Sequence, residues 1–81
     1  MGEIVRVDPG GEGDVVARWV YVPFRGSPTK MVIDVMRGGY VRISVCMVLS
    51  GVPVHVYEAG DLDGIIEVLR EAKEMVWGGD G

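Results

Sequence analysis

The chain changes hydrophobic period once, near residue 60, and that switch constrains its fold more than any other feature. Upstream, apolar and polar side chains alternate, as they do when successive residues point to opposite faces of a strand. Downstream, Leu62, Ile65, Ile66, Leu69, Ala72 and Val76 recur at the spacing of one helix face. The alternating stretches fall at 3–7, 15–22, 30–36, 40–49 and 52–57. Breakers separate them: Asp8-Pro9-Gly10-Gly11-Glu12-Gly13, Arg25-Gly26-Ser27-Pro28-Thr29, a tight hairpin at Gly38-Gly39, and a turn at Ser50-Gly51. Connections this short force neighbouring strands to run antiparallel. The expected class is α+β: an antiparallel meander of four to five strands, covered on one face by one C-terminal helix over 62–77. Asp61 is the expected N-cap, Pro53 marks the fifth strand as an edge, and Gly78-Gly79 stops the helix. The tail 78–81 is expected to be disordered.

Length and composition narrow the function. Eighty-one residues make a single domain, 1–81, with a modest core, so self-association is expected. Apolar runs are broken well before a membrane-spanning length, and no basic segment leads into an apolar run at the N-terminus. The expected location is cytoplasmic, without a membrane partner. The lone Cys46 excludes an intrachain disulfide, and one His with one Cys cannot form a zinc site of the usual kind. Neither Asn nor Gln occurs, a thermophile tendency. There is no phosphate-binding Gly-Lys-Ser/Thr, no His-Glu-x-x-His and no Gly-x-Ser-x-Gly. No enzyme activity, cofactor or metal is therefore expected. His55 reads as a structural or merely exposed residue, and Cys46 as a small buried hydrophobe.

The net charge is −4 but uneven. Residues 1–14 sum to −3, 15–57 to +4 and 58–81 to −5. The basic centre interleaves cations with rings: Arg18, Trp19, Tyr21, Phe24, Arg25, Lys30, Arg37, Tyr40 and Arg42. Single-stranded nucleic acid is held in that manner, by bases stacked on rings and phosphates tracked by Arg and Lys. The same rings at strand spacing would equally serve a core, and the acidic total weighs that way.

Alternation assigns the faces. Met31, Ile33 and Val35 share one face with Val41, Ile43, Val45, Val52, Val54 and Val56, to be roofed by the helix. Lys30, Tyr40, Arg42, His55 and Tyr57 fall on the open side. The second strand admits both orientations. We place Trp19 and Tyr21 on the open face, which leaves Arg18 at the rim of the covered one. A second helix stripe, Val68, Met75 and Trp77, is the expected oligomer contact.

Three segments carry a family resemblance: Arg18-Trp19-Val20-Tyr21-Val22, Arg37-Gly38-Gly39-Tyr40-Val41-Arg42, and Tyr57-Glu58-Ala59-Gly60-Asp61-Leu62 opening the helix. With their element order, they resemble the positive-cofactor-four and Whirly kind of single-stranded DNA-binding unit. More narrowly, they resemble the small archaeal proteins related to ThermoDBP. The resemblance spans about residues 15–77 and rests on order and composition, without a diagnostic motif. It implies single-stranded DNA (or RNA) as partner and a homodimer or homotetramer. It places Trp19, Tyr21, Tyr40, Arg25, Lys30 and Arg42 on the DNA side. The acidic balance and short C-terminus depart from that pattern.

Overall fold

A computed structural model describes residues 2–47 and 54–78. Strands β1 (Glu3–Val7), β2 (Val15–Val22), β3 (Thr29–Met36) and β4 (Tyr40–Met47) form one antiparallel sheet in chain order, followed by helix α1 (Ala59–Trp77). The β3–β4 connection needs only three residues because Gly39 takes φ +88° and its N–H donates to the Met36 carbonyl at 3.0 Å. That loop sets Met36 opposite Tyr40, and so Asp34 opposite Arg42 and Ile33 opposite Ile43.

The expected fifth strand does not form over 54–57, and its first residues, Val52 and Pro53, lie outside the described residues. So do Val48 and Leu49, assigned above to the fourth strand. Val54 instead packs at the margin of the core without a ladder partner.

The helix begins at Ala59, earlier than expected, and Asp61 is not its cap. Glu58 holds that position in extended conformation, with no side-chain hydrogen bond to the helix. Asp61 lies within the first turn, where its carboxylate accepts from the Tyr21 hydroxyl at 3.0 Å and the Gly2 N–H at 2.9 Å. A buried phenol needs an acceptor more than the exposed helix end needs a cap. The fit is close: a Cβ at position 2 would run into Asp61 and Tyr21. Burial first, and the Asp61 bond second, push the Tyr21 hydroxyl up to about 12.

The core corrects the assignment of β2. Ala17, Trp19 and Tyr21 lie beneath α1 with Ile33, Val35, Ile65, Val68 and Ala72. Trp19 pairs with Ile33 across the β2–β3 ladder, so it must share that residue's face. At 4% exposure it cannot stack on a nucleobase, and neither can Tyr21 at 1%. Arg6 spreads its guanidinium over the Trp19 ring, 5.3 Å from the centroid, and shields the edge of the core. Val68 is likewise core and not an oligomer contact, because it falls between Ile65 and Ala72 on one arc of the helix. Leu62 and Ile66, expected to face the sheet, are exposed. Gly78 ends the helix by donating to the Glu74 carbonyl at 2.9 Å.

Candidate site on the open sheet face

With β2 oriented this way, its even-numbered residues point away from the helix. Arg18 pairs with Asp34 across β2–β3, and Asp34 with Arg42 across β3–β4, so all three side chains rise from the open face. Asp34 sits at the centre and is completely buried. Arg18 grips it side-on, Nε to Oδ1 at 2.7 Å and Nη2 to Oδ2 at 3.1 Å. Arg42 approaches from the other side, Nη2 to Oδ2 at 2.7 Å and Nε to the same oxygen at 3.3 Å. Burial alone would favour a neutral carboxyl. The hydrogen bonds from Arg18 and then Arg42 outweigh it and hold Asp34 below the ordinary carboxylate range. The same bonds raise both arginines, Arg18 with help from Glu12.

Glu12 completes the network from the loop between β1 and β2. One carboxylate oxygen accepts from Arg18 Nη1 at 3.0 Å, and the other lies 3.8 Å from Arg42 Nη2. The hydrogen bond from Arg18 is the main cause of its lowered pKa. The loop is tied down independently of that side chain. The Arg37 N–H donates to the Asp14 carbonyl, the Arg37 Nε to the Gly13 carbonyl, and the Val15 N–H to the Glu12 carbonyl.

Beside this network lies a shallow concavity of about 400 Å³. Val7, Val20 and Val32 are the apolar part of its lining, with Lys30 and Ser44 beside the ionic groups. A second, separate cluster stands near the loop after β2. Phe24 and Tyr57 lie 6.4 Å apart, and His55 meets Tyr57 edge-on at 5.9 Å, with Nδ1 3.3 Å from the hydroxyl. All three are exposed, and Arg25 adjoins Phe24 in sequence.

Of the basic and aromatic residues singled out above, Arg18, Lys30 and Arg42 converge on the open face. Tyr40 points to the same side from the start of β4, half exposed. Phe24 and Arg25 lie apart from them, Arg37 braces the Glu12 loop, and Trp19 and Tyr21 are beneath the helix. Two residues central to the open face, Asp34 and Glu12, were not singled out. The signal for Asp34 was present: a hairpin centred on Gly38 sets it against Arg42.

Among the described residues, no helix is long and apolar enough to cross a membrane. Comparison with protein-family models, with curated proteins and with solved structures returned no match.

Proposed function

We propose that this chain is a self-assembling module whose contact surface lies on the helix-bearing side of the sheet, along β4 and the outer flank of α1. The observation that carries this reading is a contrast within one cross-strand pair. Ile33 is fully buried under the helix, whereas its partner Ile43 is 58% exposed on the same face. One helix, about 10 Å across, cannot roof a sheet whose outer strand axes lie roughly 14 Å apart. Among the described residues, the uncovered apolar surface includes Val45 on β4 and Leu62, Ile66 and Trp77 on one flank of the helix. An exposed apolar surface of this kind marks an association site, and the small core gives a second copy reason to cover it. Ile43→Glu is expected to shift the protein to monomer in sedimentation equilibrium at concentrations where the parent chain is a dimer or tetramer. A parent chain that stays monomeric throughout would refute the reading.

Single-stranded nucleic-acid binding is the second reading, favoured by the exposed Phe24–Tyr57 pair beside Arg25. Arg18 and Arg42, two of the cations expected to hold phosphates, are engaged by Asp34 and Glu12. Binding at the rings alone is expected to be weak and strongly salt-dependent. A titration of labelled oligothymidylate by fluorescence anisotropy checks it. The reading predicts a signal at low salt that Tyr57→Ala abolishes; a flat response in the parent chain removes it.

A further inference from the structure

The open face holds a second feature, independent of the assembly reading: a carboxylate seated on two guanidinium groups at the side of an apolar hollow. The geometry points to a binding site for a small amphipath with one carboxylate and a short alkyl chain. In this proposal, Glu12 occupies the headgroup position when the site is empty.

The charges favour that headgroup. Arg18, Lys30 and Arg42 line the concavity against Asp34 and Glu12, which leaves one net positive charge. Asp34 is buried and committed to both arginines, so it cannot leave without breaking the sheet's ionic network. Glu12 differs in each respect. Its side chain is 54% exposed, and its contact with Arg42 is long at 3.8 Å. The surrounding loop is anchored through backbone atoms, so the carboxylate can rotate away without moving the chain. Its departure frees Arg18 Nη1 and raises the local charge by one. Lys30 forms no ion pair among the described residues and lines the same hollow. An incoming carboxylate restores the balance that Glu12 gave.

The apolar lining supplies the other half of the recognition. Val7, Val20 and Val32 are only half-buried, although Val20 and Val32 lie on the two central strands of the sheet. An alkyl chain laid across them removes that apolar surface from water. Each methylene that reaches the valines is expected to tighten binding about threefold to fourfold. The concavity, at about 400 Å³, lies within the ordinary range for small-molecule sites, roughly 300–1,000 Å³.

The test is a titration of the full chain with sodium octanoate, sodium decanoate and octanol, followed by amide chemical shifts. Octanoate is expected to shift Val20, Val32 and Lys30, decanoate to bind more tightly, and octanol to bind far more weakly. Glu12→Ala is expected to bind octanoate about threefold to fivefold more tightly, the scale of an exposed ion pair. Lys30→Ala, at an exposed position, is expected to weaken it. Equal octanoate affinity in Glu12→Ala and the parent chain overturns the proposal. So does octanol binding as well as octanoate, or shifts confined to β4 and α1. The last outcome would leave the assembly reading intact, and loss of self-association by Ile43→Glu leaves this site intact.

Discussion

Truncating Trp19 to alanine is expected to remove about 3–5 kcal/mol of stability, the usual scale for a large ring lost from a packed core. The ring is buried among Ala17, Tyr21, Ile33 and the helix residues Ile65 and Val68, and it also carries the Arg6 guanidinium. A domain of this size has roughly 5–15 kcal/mol in all, so the variant should be close to unfolding. Urea titration followed by circular dichroism is the appropriate measurement, because the substitution alters the fluorescence itself. A midpoint within experimental error of the parent would mean that Trp19 is not a core residue. Had the ring been a stacking platform on an open face, its removal would have left stability almost unchanged.

Asp34→Ala is expected to be nearly as damaging, at about 3 kcal/mol, because it strands Arg18 without its main partner in a largely buried setting. The damage has a pH signature. Asp34 is held below the ordinary range, so its contribution is present above the unfolded-state value of about 3.9 and is lost as pH falls through the lower folded value. The parent chain should therefore lose stability below about pH 4. Asp34→Asn should be weaker at neutral pH and lack that part of the acid response. Identical acid slopes in the two proteins would show that the carboxylate is not the titrating element.

The sheet and helix were legible because each rests on a period that no other element satisfies as well. The Gly38-Gly39 hairpin was legible because a three-residue loop needs a residue of positive φ, which glycine adopts without strain. The orientation of β2 was not, since Val15-Val16-Ala17-Arg18-Trp19-Val20-Tyr21-Val22 offers an apolar set on either face. Charge decides it: only one orientation lets Arg18 reach Asp34, and the other places a guanidinium under the helix. The segment 54–57 misled for a different reason. Alternation reports one greasy side, and Val54 satisfies that against the core margin with no ladder. The basic character of residues 15–57 was real in sum. The acidic 1–14 segment folds back to meet it, Glu12 on Arg18 and near Arg42, so much of the charge is spent within the molecule.

The burial of Asp34 between two arginines also sets a penalty on any other alignment of the strands. Sliding β3 by a single residue against its neighbours would drive a carboxylate into the greasy layer beneath α1 and leave two cations facing valines. Wrongly threaded sheets are thus rejected by a penalty on one side chain, a safeguard that matters most in a meander built largely from interchangeable valines.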